Sequence, residues 1–384
     1  MLSPHALLFF FAIATVVSHG CSDFLLNTTS SRVVSARTLD DHADVRSVLE
    51  IVPRKTRFQE LATSWSITDC PECPTYAWRT TYGFVGLNPF GAHAATDGLN
   101  EKGLSAAVLG LNASHCPLVN VTDSMTGQTV VASIVTYILG NFATVADVQA
   151  GLRTAEAAEM SSGNHGFDGS RVFHVPVHDA AGQSIVVELR HSGGVRVLAN
   201  PTGVMTNNQS LPIDEASCDA GLVIDQEGDD VRDTALWDGN DPATRLQRLL
   251  RLNRLHASDG STGGASFSAA TAAITTALKM IHTVVVEAGA ADGDGVTTQV
   301  TLVRDHGALR LYFQSTKHHV LQRLDLNKID FANPCSRKAL DMKYGTWYVN
   351  ATQTVPLELP EQAQLDQLVA HHSILASFLD RSRT

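Results

Sequence analysis

The chain has 384 residues, 44% of them hydrophobic and 17% charged, and a formal net charge of −11. That balance belongs to an ordinary folded globule and excludes an intrinsically disordered chain. The negative charge argues against nucleic acid or an anionic membrane as partner, and beyond the N-terminus no apolar run reaches the ~20 residues that span a bilayer.

Residues 1–20 read as a secretory signal peptide. Leu7 to Val17 form an apolar run, and Ser18-His19-Gly20 places small residues three and one before Cys21, as signal peptidase requires. Cleavage there leaves about 360 residues, room for one large domain or two small ones. The new N-terminus is a cysteine, with a thiol and a free α-amine on one residue. The amine titrates near ~8, so it can take a proton at neutral pH. A nucleophile with its own base is the minimum machinery for amide hydrolysis. A lipoprotein acceptor is the alternative for a cysteine in this place, but that signal wants a branched aliphatic residue where Ser18 stands.

Cys21 to Leu26 and Arg32 to Arg37 are extended runs around a polar Asn-Thr-Thr-Ser-Ser turn, a hairpin signal that sets Cys21 beside Arg37 and Asp40. Tyr82 to Gly86 and Leu104 to Leu111 read as strands, and Gly127 to Leu139 and Val145 to Leu152 as helices. Val172 to Val177 and Ser184 to Leu189 form a hairpin across Asp179-Ala180-Ala181-Gly182, followed by strands at Val195 to Leu198 and Val204-Met205. Asp241 to Leu252 and Ser268 to Ile281 are helical, and Thr297 to Arg304 with Leu309 to Gln314 make a last hairpin. Gln362 to Leu379 carries an apolar stripe and reads as a C-terminal amphipathic helix. Antiparallel hairpins dominate and no βαβ repeat emerges, the pattern of an α+β layered fold. With no internal repeat or evident boundary, residues 21–384 are expected to form a single domain.

Cysteines stand at 21, 70, 73, 116, 218 and 335. If Cys21 is reserved as a nucleophile, an oxidising compartment implies two disulfides and one spare thiol, with the pairing open. Cys70-Pro71-Glu72-Cys73 has the spacing of a redox motif, but no strand leads into a helix there. Sequons at Asn27, Asn112, Asn120, Asn208 and Asn350 fit an exported, glycosylated protein in an extracellular, periplasmic or lysosomal space.

Four blocks in fixed order resemble the choloylglycine hydrolase family, which includes conjugated bile acid hydrolases and penicillin V acylases. They are Cys21 with Ser35-Ala36-Arg37-Thr38-Leu39-Asp40; Thr81 to Gly86 with Asp97-Gly98-Leu99-Asn100-Glu101-Lys102-Gly103-Leu104 and Gly110-Leu111-Asn112; Asp179 to Glu188 with Val204-Met205-Thr206-Asn207; and Thr244-Arg245-Leu246. The resemblance implies an N-terminal nucleophile hydrolase, with an αββα fold of two antiparallel sheets between helical layers. It implies that Cys21 is the nucleophile, that Arg37 and Asp40 hold its thiol and amine, and that Asn207 is the side-chain donor of the oxyanion hole. The second oxyanion donor would be the backbone N–H of Asn112, and Arg245 would complete the polar network. No metal or cofactor is implied.

Without that resemblance the same residues have plainer readings. Arg37 and Asp40 would be a surface ion pair worth ~0–1 kcal/mol. Asn207 would be a turn residue. Arg245, Arg248 and Arg251 would be a solvated basic face. His318-His319 and His371-His372 are sequence neighbours whose side chains diverge, so neither pair makes a ready metal site. There is no His-Glu-x-x-His run and no Gly-x-Ser-x-Gly elbow. A glycan on Asn112 or Asn208 would crowd the site, and both sequons are expected to be silent because both positions should be buried.

Family members cleave linear amides other than peptide bonds, so the partner expected is a small N-acyl amide: an N-acyl amino acid or amine, an acyl homoserine lactone or a penicillin V type compound. Pro89 to Ala95 and Ala113 to Ser124 are the expected pocket rims, with Phe84, Phe90 and Leu111 as acyl-pocket or core residues. The Asn207 to Arg245 span is shorter than the stretch that builds the tetramer of bile salt hydrolases, so that tetramer is not expected and the oligomeric state stays open. The alternative function is a non-catalytic secreted binding protein of the same fold, which would hold if cleavage missed Cys21 or a disulfide captured it.

Overall fold

Side chains alternate between the two faces of a strand, and in the computed structural model that alternation sorts the core into three separate apolar clusters. The structure describes residues 20–26, 32–42, 44–61, 75–89, 95–112, 134–152, 171–190, 194–207, 239–258, 269–287 and 296–342. All lie in the first of two units into which the chain divides, Met1–Trp347 and Tyr348–Thr384. The Gln362 to Leu379 helix therefore falls outside the described residues, as do the first nineteen residues.

The described strands are β1 (Ser22–Leu25), β2 (Val34–Asp41), β3 (Val48–Val52), β4 (Arg57–Leu61), β5 (Thr75–Arg79), β6 (Phe84–Asn88), β7 (Asp97–Asn100), β8 (Ser105–Ala107), β9 (Leu109–Asn112), β10 (Arg171–His178), β11 (Ser184–Arg190), β12 (Gly194–Ala199), β13 (Val204–Thr206), β14 (Thr297–Asp305), β15 (Arg310–Ser315), β16 (His318–Asp325) and β17 (Lys338–Asp341). The helices are α1 (Ile134–Asn141), α2 (Val145–Gly151), α3 (Pro242–Ser258) and α4 (Ala269–His282). One sheet has the order β13-β1-β2-β14-β15-β16. The other runs β12-β11-β10-β8-β7-β6-β3-β17, with β9 also on β10, and β4 and β5 form a separate ribbon. Every pairing in both sheets is antiparallel.

The central cluster fills the space between the sheets. Cys21, Leu39, Leu302, Leu311 and Phe313 come from the first sheet, and Leu49, Val85, Leu87, Leu99, Leu109 and Val186 from the second. A second cluster packs α1 and α2 on the outer face of the second sheet, through Ile134, Ile138, Leu139 and Val148 against Phe84, Leu104, Val175 and Val187. A third packs α3 and α4 on the outer face of the first, through Leu246, Leu249, Ala277 and Ile281 against Phe24, Val34, Ala36 and Val303. Helix, sheet, sheet and helix make the four αββα layers. Among the described residues no helix is long and apolar enough to cross a membrane.

The Asn100-Glu101-Lys102-Gly103-Leu104 run is a joint between layers. Asn100 Nδ2 donates to the carbonyls of Leu139 (2.9 Å) and Phe142 (2.8 Å), and its Oδ1 accepts from the N–H groups of Lys102 and Leu104, both at 2.9 Å. One buried amide thus closes the β7–β8 turn and caps the end of α1. Glu101 takes a two-pronged ion pair from Arg54 and the N–H of Gly83. Gly103 holds φ +81° with the His306 carbonyl 2.5 Å from where a Cβ would stand, so only glycine fits. The expected strand Leu104 to Leu111 is two strands: at Val108 the chain leaves β7 while staying on β10, and its N–H turns to Thr96 O. Asn100→Ala would strand four backbone groups; we expect a loss of about 2–4 kcal/mol, read as a lower midpoint in urea denaturation.

Candidate active site

Cys21 immediately precedes β1, and the β1–β2 hairpin sets its surroundings. Ser22 lies opposite Thr38 and Asp23 opposite Arg37. Alternation then sends Cys21 and Asp23 inward between the sheets, and Ser22 and Phe24 outward beneath α3 and α4. On β2, Arg37 faces inward and Thr38 and Asp40 outward. Cys21 is fully buried and its thiol is free of any disulfide. Arg37 Nη2 donates to Cys21 Sγ at 3.3 Å and also to the carbonyl of Val108, the residue at the break between β8 and β9.

The outward side gathers the groups around the Cys21 backbone. Asp40 accepts from Thr298 Oγ1 (2.6 Å) and Thr38 Oγ1 (3.1 Å). Gly20 packs on Asp40 so closely that a Cβ would lie 2.9 Å from Asp40 Cβ, so any larger residue there would push Asp40 aside. Arg245 rises from the first turn of α3, whose start is set by Pro242 and by Asp241, which accepts the N–H groups of Ala243 and Thr244 at 3.0 Å. Its guanidinium donates to Gly20 O, to Ser22 Oγ (2.6 Å), to Asn240 O (2.9 Å) and to Asn207 Oδ1 (3.3 Å), with Asp40 Oδ2 4.0 Å away. Burial pushes Asp40 up to about 6, against the pull of Arg245, Thr298, Thr38 and Arg37. Burial also works against the charge of Arg245, and Asp40 and Cys21 are the largest opposing influences.

Asn207 follows β13, the strand on the other side of β1. Arg245 holds its Oδ1, and its Nδ2 donates to Gly110 O at 2.7 Å. Held at both ends, the amide has its plane fixed. Asn112 stands two residues beyond Gly110 at the end of β9, opposite Arg171 of β10. The structure therefore brings Cys21, Arg37, Asp40, Asn207 and Arg245 together and sets the Asn112 backbone on the strand that holds Asn207.

Behind Arg37 lies a buried ionic chain that sequence reading missed. Arg37 Nη1 pairs with Asp97 Oδ2 at 3.3 Å. Asp97 also takes both prongs of Arg304, Nε at 2.9 Å and Nη2 more closely. Arg304 Nη1 reaches Asp23 at 3.0 Å, and Asp23 accepts from His178 Nε2 at 2.7 Å. Burial raises the Asp23 carboxyl, but Arg304 and His178 outweigh it and hold the group below its ordinary range. Ser35 accepts from Arg304 (3.1 Å) and donates to His306 Nε2 (2.9 Å), whose Nδ1 donates to Gly103 O (2.8 Å). Burial pushes His306 down to about 3, so it is neutral at physiological pH. Asp97 heads the Asp-Gly-Leu-Asn-Glu-Lys-Gly-Leu run, and that position was its one signal in the sequence.

Two plain readings are corrected. Arg37 and Asp40 are not a surface pair: both are buried, and they face opposite sides of β2. Arg245 and Arg248 are not a solvated basic face: both are buried, and Arg248 donates to the carbonyls of Thr283 and Gly239. Phe84 belongs to the outer core. Phe90, the Leu111 side chain, the rims at 90–94 and 113–124, and Cys70, Cys73, Cys116 and Cys218 lie outside the described residues. His318 is buried and His319 exposed, on opposite faces of β16.

Stacked antiparallel sheets between helical layers, with Cys21 at the head of a central strand, are the αββα architecture of N-terminal nucleophile hydrolases. A family model for the linear amide C–N hydrolases, choloylglycine hydrolase family, matches residues 21–213, and the chain belongs to that family. A penicillin V acylase of Pectobacterium atrosepticum is 26% identical over 313 residues, 78% of each chain. The structure of a penicillin V acylase from Agrobacterium tumefaciens superposes with a TM-score of 0.57 at 22% identity, covering 81% of this chain and 88% of that one. A variant of conjugated bile acid hydrolase from Clostridium perfringens gives a TM-score of 0.60 at 18% identity, over 87% of this chain and all of the other.

The Asp40 carboxyl, raised from 3.8 to about 6, contributes stability that is complete below its unfolded value and lost as pH rises through its folded one. In the uncleaved chain Asp40→Asn is therefore expected to be nearly neutral at about pH 4 and stabilising by about 1–3 kcal/mol at about pH 7.5. Urea denaturation at the two pH values checks the sign.

Proposed function

We propose that the protein is a secreted hydrolase of non-peptide linear amides that works through Cys21 as an N-terminal nucleophile. The observation that carries this reading is the setting of one buried cysteine: a guanidinium on its thiol (Arg37), and, on the side of the residue before it, a carboxylate (Asp40) and an arginine (Arg245) that also holds the Asn207 amide. Secretion is supported by the apolar Leu7 to Val17 run with Ser18-His19-Gly20 behind it. The proposed substrate class is supported by membership of the linear amide C–N hydrolase family and by a relative named as penicillin V acylase. It comprises N-acyl amino acids, N-acyl amines, acyl homoserine lactones and penicillin V type compounds.

Hydrolysis of the Gly20–Cys21 bond turns an amide nitrogen into an amine and vacates the place of Gly20 beside Asp40 and Arg245. Asp40 then accepts hydrogen bonds from the new ammonium form and fixes its direction. The amine takes the thiol proton as Sγ attacks the acyl carbon, and later delivers it to the leaving nitrogen. Arg37 favours the thiolate by charge. The developing oxyanion takes hydrogen bonds from the Asn207 amide and the backbone N–H of Asn112. The acyl group rests on sulfur as a thioester until water, activated by the same amine, releases it.

N-terminal mass spectrometry of the exported protein should find a mature chain that begins at unmodified Cys21. A start elsewhere, or a Cys21 in a disulfide or under a lipid, would favour the non-catalytic binding protein. Asn207→Ala should lower kcat about 10²–10³-fold with little change in KM, the usual loss for one oxyanion donor. Steady-state kinetics on an N-acyl substrate checks it, and a change in KM alone would contradict the assigned role.

A further inference from the structure

Resting on Cys21 as nucleophile, we propose that Asp97 is its remote positioning residue: it orients Arg37 on Sγ and tempers the positive charge the thiol feels. The geometry carries this. Arg37 Nε has no hydrogen-bond partner among the described residues, so the guanidinium is aimed only through its two Nη atoms. Nη2 holds Sγ and Val108 O, and Nη1 holds Asp97. Asp97 is fully buried and comes from β7 in the opposite sheet, so it sets the depth at which Arg37 sits as well as its plane.

Asp97 is also shared. Its Oδ2 lies against both Arg37 and Arg304, and Arg304 takes its Oδ1 as well. Two guanidinium groups thus divide one carboxylate, which neutralises Arg37 only in part. That division matters for the chemistry. With no counter-charge, Arg37 would hold Sγ as a low-energy thiolate, and nucleophilicity falls as thiol pKa falls. With a carboxylate of its own, Arg37 would barely polarise the thiol. The charged and titratable groups around Sγ are the α-amine of Cys21 itself in the mature chain, Arg37 and Asp40 from β2, Arg245 from α3, Asp97 from β7, Arg304 from β14 and Asp23 from β1. His178 from β10 and His306 lie beyond them. Asp40 and Arg245 sit on the other side of the sheet and are unchanged by substitution at 97.

The test is the pH dependence of Cys21 alkylation by iodoacetamide in the full protein, with the adduct located by mass spectrometry, since the thiolate is the reacting form. Asp97→Asn keeps a side-chain oxygen that can still accept from Arg37 Nη1 and so preserves its aim, but removes the tempering charge, so the midpoint should fall by about one pH unit, the scale of a nearby charge change. Asp97→Glu, which keeps the charge, should return it toward the wild-type value. A midpoint that stays put or rises in Asp97→Asn overturns the proposal, because a merely structural carboxylate would cut activity without moving the titration. Should Asp97→Asn fail to fold, Arg304→Gln carries the test in the opposite direction. There Asp97 neutralises Arg37 more fully and the midpoint should rise; an unchanged midpoint overturns the proposal. Wild-type protein that keeps its amidase turnover after Cys21 is capped would instead overturn the nucleophile reading itself, and Asp97's role with it.

Discussion

The rest of the site depends on a charge-balanced chain buried between the sheets: Arg37, Asp97, Arg304 and Asp23. Each of these ions lost its water on folding, at a cost of several kcal/mol apiece that pairing at best repays. Hydrophobic residues of the same volume would hold the sheets together as well or better. What a buried ionic chain supplies is position. Asp97 enters from one sheet and Arg37, Arg304 and Asp23 from the other, so the register of the sandwich and the aim of Arg37 at Sγ are a single constraint. Breaking one pair would leave a buried charge unopposed, and the geometry tolerates little drift.

Strand alternation then divides the labour. Inward from β1 and β2 stand the thiol and the guanidinium that polarises it. Outward, under α3, stand Ser22 and the two groups that meet Gly20, the residue before Cys21: Asp40 and Arg245. The amine that the proposed mechanism needs therefore belongs to the outer polar set, and the sulfur to the inner one. Cys21 is the point where the two meet. Asn207 ties them from the side, with one end on Arg245 and the other on the β9 backbone.

Much of this was legible in the sequence, and the reasons are local. A hairpin around residues 27–31 puts Cys21 near Arg37 and Asp40 whatever the rest of the chain does. Asp241 and Pro242 announce the helix start that places Arg245. The Asn-Glu-Lys-Gly-Leu run marks a turn because Gly103 must adopt positive φ. What stayed hidden depends on partners far apart in sequence. Asp97 and Arg304 are 207 residues apart and Asp23 and Arg304 281, and neither spacing carries any periodic signal. The four-residue strands β7 (Asp-Gly-Leu-Asn) and β17 (Lys-Ala-Leu-Asp) carry little strand-forming pattern of their own and take their shape from neighbours in the sheet. The burial of Arg245 and Arg248 follows from α3 packing on the sheet, where a basic helix face looks solvated until its carbonyl partners at Gly20, Thr283 and Gly239 are seen.

The most direct test is to acid-quench the protein during turnover of an N-acyl substrate and to locate the acyl group by peptide mass spectrometry. The account predicts a thioester on a peptide whose first residue is Cys21, labile to hydroxylamine and absent in Cys21→Ala. An acyl group on another residue, or on a peptide that still carries Gly20, would contradict it.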